Sequence, residues 1–127
     1  MKFRQNKSIY LQIADFIIES IIMNKWKECE RIPSVRDMAV RIEVNPNTVL
    51  RTYTYLQDKE IIYNQRGIGY FVCDGAIHKA ISVAKKDFIK KELPKLFHAM
   101  EILKLSFTDI EKLYIEYISH KKSHNQV

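Results

Sequence analysis

A chain of 127 residues is long enough for one core, or for one small domain with an appendage. Its 46% apolar and 28% charged residues are ordinary for a soluble globular protein, and no stretch approaches the roughly 18 apolar residues of a membrane span. The net charge of +6 permits a polyanionic partner without establishing one, because residues 1–75 carry 11 Lys/Arg against 9 Asp/Glu and residues 76–127 carry 10 against 6.

The start, Met1-Lys2-Phe3-Arg4-Gln5-Asn6-Lys7, is charged and leads into an amphipathic helix, not into the apolar core of a signal peptide, so a cytoplasmic location is expected. That first helix is predicted from Ile9 to Asn24, with Tyr10, Ile13, Ala14, Ile17 and Ile21 on one buried stripe. A polar turn, Lys25 to Arg31, follows, with Trp26 packing back on the core. Pro33 ends any extended segment and Ser34 is an N-cap, with Asp37 placed to return a bond to the cap residue's amide. This second helix is predicted to reach Arg41 or Ile42. Asn45-Pro46 then starts a third, reaching about Asp58, because Asn caps well and Pro is favoured at the first helical position. Val49, Tyr53 and Leu56 form its inner stripe, while Asn47, Thr48, Arg51 and Tyr55 point elsewhere.

Ile61-Ile62-Tyr63 and Tyr70-Phe71-Val72 read as two strands joined through Asn64-Gln65-Arg66-Gly67-Ile68-Gly69, a hairpin with a glycine-bearing tip. Residues 76 to about 104 are helix-forming, with Pro94 expected to kink or interrupt them. A further helix begins near Phe107, and the tail from His120 to Val127 is expected to fray. The fold class is therefore mainly α with one small β-hairpin: a winged helix-turn-helix over residues 1–75, followed by a two-helix segment over 76–127.

The ordered block Ile32-Pro33-Ser34-Val35-Arg36, Val44-Asn45-Pro46-Asn47-Thr48-Val49 and Arg66-Gly67-Ile68-Gly69 resembles the DNA-binding domain of the GntR family of bacterial transcription regulators, over about residues 8–73. One departure is visible: Cys29 stands in the turn where the family usually has glycine. The short remainder after Gly75 is similar to the YtrA-type branch, whose two-helix tail dimerises. The resemblance implies a homodimeric repressor or regulator, often of transporter genes, bound to double-stranded DNA at a near-palindromic operator with half-sites about one helical turn apart. It implies a DNA-binding set of Ser34, Arg36, Asn45, Asn47, Thr48, Arg51, Arg66 and Gly67. Arginine suits that role because it can grip guanine O6/N7 or phosphate with two hydrogen bonds, and a helix N-terminus offers free amides to phosphate.

No nucleophile–base pair, phosphate loop or ligand spacing among His78, His98, His120 and His124 points to catalysis, a cofactor or a metal, so the chain is not expected to be an enzyme. Cys29 and Cys73 fit a reduced cytosolic protein; one disulfide is possible, and two thiols cannot make a full metal site. Lys85, Lys86, Lys90 and Lys91 read as a solvated basic face, with auxiliary DNA contact as the alternative. A helical pair this short leaves no room for a typical ~300 Å3 ligand pocket within one subunit, so any small-molecule effector would sit between subunits or between tail and DNA-binding domain. A rival reading stays open at this point: a winged helix that docks a protein partner without specific DNA binding. Against it, such a face usually carries apolar anchors, and Asn47, Thr48, Arg51 and Arg66 are polar or cationic.

Overall fold

A computed structural model describes residues 7–125; the charged start from Met1 to Asn6 and the last two residues of the tail lie outside them. The chain divides into two compact units, residues 1–86 and 87–127. The first contains α1 (Ile9–Ile22), α2 (Val35–Ile42), α3 (Pro46–Asp58), β1 (Ile62–Gln65), β2 (Gly69–Val72) and all but the last residue of α4 (Ala76–Asp87).

The stripe read from the first helix is the core. Ile13, Ala14, Ile17 and Ile21 of α1 are fully buried, against Val49, Tyr53 and Leu56 of α3 and Ile61, Ile62 and Val72 around the hairpin. Each such isoleucine, valine or leucine contributes about 1.5–3 kcal/mol through burial. Thr52 is also fully buried, and its hydroxyl donates to the Tyr10 carbonyl at 2.7 Å, so this polar group between α1 and α3 is satisfied. Trp26 packs partly buried on the same core.

Helix α1 stops two residues before the predicted end. Asn24 adopts φ +59°, and the Lys25 amide reaches back to the Ser20 carbonyl at 2.8 Å. The same left-handed stop ends α2 at Glu43 (φ 55°, Val44 amide to Ala39 carbonyl, 3.0 Å) and α3 at Glu60 (φ 60°, Ile61 amide to Leu56 carbonyl, 2.9 Å). In each case the bond five residues back covers a helix carbonyl that would otherwise lack a partner.

β1 and β2 pair antiparallel with Ile62 opposite Val72 and Gln65 opposite Gly69. The tip is a turn closed by the Ile68 amide on the Gln65 carbonyl at 2.9 Å, with Gly67 at φ +80°, the positive angle a type II turn needs at its third residue. The segment before Pro33 joins this sheet, which the sequence did not predict. Arg31 bridges to Phe71, the Ile32 amide donates to the Tyr70 carbonyl at 2.9 Å, and the Val72 amide donates to the Glu30 carbonyl at 3.0 Å.

Cys29 sits where this added strand begins. Its amide donates to the Val72 carbonyl at 2.8 Å while Val72 donates to Glu30, so two residues oppose one, and Cys29 has φ +67°. That is a β-bulge of the kind whose first residue is normally glycine. The glycine expected of the turn is thus replaced by cysteine with the backbone kept. Cys29→Gly is expected to stabilise the protein by about 1 kcal/mol, because a side chain in the left-handed region is sterically disfavoured. A urea midpoint that falls, at unchanged slope, would contradict this.

The sequence divides the chain at Gly75, whereas the compact units divide after Lys86. Ala76 and Ala80 explain the difference: both are fully buried in the first unit's core, and Ile77, Val83 and Ala84 pack partly buried against it.

In the second unit a π-helical stretch, Phe88–Glu92, precedes α5 (Leu93–Leu103), and α6 runs Phe107–Asn125. Pro94 lies in the first turn of α5. Lacking an amide hydrogen, it breaks the regular ladder, and the wide π turn directly before it takes up the mismatch. α6 starts with a reciprocal box: the Asp109 amide donates to Ser106 Oγ at 3.1 Å and the Ser106 amide to Asp109 Oδ2 at 2.9 Å. Those bonds hold the Asp109 carboxyl below its usual range. α6 is helical through Asn125, with no Gly or Pro to interrupt it; Gln126 and Val127, the end of the tail expected to fray, lie outside the described residues.

Candidate nucleic-acid interface

Two capped helix starts position the predicted residues. Ser34 Oγ accepts from the Asp37 amide at 3.0 Å, and Asn45 Oδ1 accepts from the Asn47 amide at 2.8 Å, with Pro46 opening α3. The reciprocal bond, in which the Ser34 amide would donate to the Asp37 carboxylate, does not form. Ser34 is half-buried and Asn45 exposed, and both side-chain oxygens are engaged in capping. These caps set where α2 and α3 begin, which fixes what each helix shows to solvent.

On α3, Asn47 and Arg51 are exposed, Thr48 is half-buried, and Val49, Thr52, Tyr53 and Leu56 face inward. Asn47 and Arg51 line one open cleft of about 430 Å3 with Tyr10, Leu50, Thr54, Tyr55 and Asp58. The Arg51 guanidinium lies 3.9 Å over the Tyr10 ring, which holds it by cation–π attraction on the α1 side of the cleft. Tyr10 meets Tyr55 edge-on at 6.4 Å. Tyr55 is therefore part of the wall of this cleft.

Arg36 is exposed on α2, and Arg66 and Gly67 are exposed at the hairpin tip. Among the described residues no carboxylate forms an ion pair with Arg36, Arg51 or Arg66. Three exposed cations on one small unit, each without an ion pair among the described residues, are available to an outside anion. The structure adds three side chains to this surface that the sequence did not single out. Leu50 and Thr54 lie on the exposed face of α3. Arg31 packs its guanidinium on the wing, where a Cβ at Gly69 would stand 2.8 Å from Arg31 Nε. The signal for Leu50 was present in the chain: it follows Val49 of the inner stripe by one residue, about 100° around the helix.

Tyr53 ties these elements together. Its hydroxyl donates to the Pro33 carbonyl at 2.7 Å, ahead of α2, and its ring meets Tyr70 of β2 edge-on at 4.8 Å. One buried side chain of α3 thereby spans the start of α2 and the wing. Burial, with a smaller contribution from Tyr70, pushes its phenol well above the ordinary range, so it stays a neutral donor. Cys29 and Cys73 are free thiols; burial raises Cys73, which disfavours its thiolate. Among the described residues no group of three His, Cys, Asp or Glu could hold a metal ion, and no helix is long and apolar enough to cross a membrane.

A capped helix with an exposed polar start, a second helix packed across it and a hairpin wing form a winged helix. The family model of bacterial regulatory proteins of the gntR family matches residues 9–72, which span all of these parts from α1 to β2. The chain belongs to the GntR family. Over 93 residues this GntR regulator is 33% identical to the HTH-type transcriptional repressor YtrA of Bacillus subtilis, covering 73% of this chain and 71% of that protein. It is 40% identical over 75 residues to the B. subtilis HTH-type transcriptional regulator YhcF, covering 59% of this chain and 62% of YhcF. Its fold matches the crystal structure of a GntR-family transcriptional regulator from Bacteroides thetaiotaomicron with a TM-score of 0.76 and 46% identity, over 90% of this chain and 99% of that one. The GntR regulator is thus of the YtrA type, a transcription regulator with a winged-helix DNA-binding domain.

Proposed function

We propose that this GntR regulator is a homodimeric repressor that binds a near-palindromic operator, with α3 of each subunit in a major groove and each wing in the adjoining minor groove. The observation that carries the DNA-reading part is the exposed, capped start of α3, with Asn47 and Arg51 on it and Arg36 and Arg66 exposed on α2 and the wing. Ser34 and Asn45 set the helix starts, and with Thr48 in the first turn of α3 they offer amide and hydroxyl groups to phosphate. Gly67 lets the wing backbone approach the duplex, since nothing lies within 4 Å of where its Cβ would be. Repression is proposed from the relative YtrA, which is named a repressor.

Dimerisation is proposed through the segment 76–127, chiefly the helices of the second unit. No described side chain of that unit is fully buried. Phe97, Phe107, Tyr114 and Tyr117 are 54%, 74%, 62% and 61% exposed. Apolar surface on that scale marks an association face, and a second copy supplies a matching one with closed two-fold symmetry. Ala76 and Ala80 are already used inward by the first unit's core.

Arg36 gives the most direct test of the DNA reading. Arg36→Ala is expected to weaken binding to the operator by about 1–3 kcal/mol, the scale of one good two-pronged arginine contact. The site is exposed, so the fold should be unaffected. Unchanged affinity in a footprinting titration of the upstream intergenic duplex would remove Arg36 from the interface.

A further inference from the structure

The exposed positions of α3 beyond its cap include Asn47, Leu50, Arg51 and Thr54, which share the i, i+3, i+4, i+7 spacing of one helical face. Three of the four carry hydrogen-bonding groups. Leu50 does not, and it is 46% exposed in the middle of them. Its neighbours do not turn it into core. The Arg51 guanidinium is held over the Tyr10 ring at 3.9 Å, and the Thr54 hydroxyl donates back to the Leu50 carbonyl at 2.9 Å. With that hydroxyl committed to the helix backbone, Thr54 adds its methyl group to the same face one turn on. The surface is a short apolar ridge, Leu50 and Thr54, flanked by Asn47 and Arg51 in one open cleft.

We infer that Leu50 is a specificity-determining residue whose isobutyl group packs on the C5-methyl of a thymine in each operator half-site. The inference rests on the reading of α3 as the helix in the major groove. In that groove thymine is the base that offers a methyl group, and apolar side chains recognise it by contact. A cytosine at the same place presents no methyl group, so the contact with Leu50 is lost. Leu50 therefore selects by contact with a methyl, in a face that otherwise reads by hydrogen bonds.

The test uses the full-length protein and duplexes selected by it from a random-sequence pool. Each thymine of the selected operator is replaced in turn by deoxyuridine, which keeps the base pair and its polar edges and removes only the methyl. The expected result is one thymine in each half-site at which deoxyuridine weakens binding about fourfold, the worth of one buried methyl group. Leu50→Ala, an exposed helical change that leaves the fold intact, should bind thymine and deoxyuridine equally at that position. An operator with no methyl-sensitive thymine overturns the inference alone, as does a Leu50→Ala protein that keeps the sensitivity. Failure to enrich any sequence overturns the base-reading role of α3, and the inference with it.

Discussion

Ending the chain after Lys86 is expected to give a folded monomer whose operator affinity is roughly a hundred- to ten-thousand-fold below that of the whole protein, the usual loss when two linked binding sites become one. The fold survives because the buried core of the first unit, including Ala76 and Ala80, lies entirely before that point. The place of the cut matters. Ending at Gly75 removes two fully buried alanines and the packing of Ile77, Val83 and Ala84, so that shorter chain should unfold at lower urea. Sedimentation velocity separates the outcomes: a dimer of residues 1–86 would place the association face in the winged helix and contradict the account.

Tyr53→Ala carries the largest expected effect on stability, about 3–5 kcal/mol, the range for removing a large buried aromatic ring. It deletes a fully buried side chain, the edge-on contact with Tyr70 and the hydrogen bond to the Pro33 carbonyl together. Tyr53→Phe separates these. It keeps the ring and removes only the hydroxyl, and should cost about 1 kcal/mol. Because Pro33 precedes α2 and Tyr70 lies in the wing, the Phe variant should also loosen operator binding more than its small stability loss explains. If its affinity equals that of the wild type, Tyr53 is a packing residue only.

Helix starts were legible in the chain, as were the ends of α2 and α3, but the backbone device that stops each helix was not. Ser34 and Asn45-Pro46 announce themselves because capping side chains and an early proline are chemically distinctive, and both starts lie at the predicted residues. The stops at Asn24, Glu43, Glu60 and Lys104 use left-handed residues without glycine, stabilised by backbone bonds that a sequence does not display. The same holds at Cys29, where a glycine-type bulge carries a thiol. A short run such as Glu30–Ile32 has no alternation to betray a strand; it pairs because β2 presents free edge groups to it.

The candidate site divides along the same line. Arg36, Asn47, Arg51 and Arg66 could be named as candidates in advance from their places in the family's motif, and all four are exposed. The hold of Tyr10 on Arg51 joins residues 41 positions apart, and the seating of Arg31 on Gly69 depends on a turn geometry known only after folding. Leu50 was passed over because leucine in an amphipathic helix reads as core until its place beside the Val49–Tyr53–Leu56 stripe is measured. The aromatics of the second unit, Phe97, Phe107, Tyr114 and Tyr117, are exposed within one chain, and a hydrophobic pattern looks the same whether its partner is the same subunit or another.

The central claim is sequence-specific binding of double-stranded DNA, and fluorescence-anisotropy titration against the protein's own upstream intergenic duplex and a scrambled duplex tests it most directly. The titrations are run at low and at near-physiological salt. Tight binding to the upstream duplex alone, persisting at the higher salt, is the predicted result. Equal binding to both duplexes that disappears as salt rises would be generic attraction to phosphate, and would contradict the account.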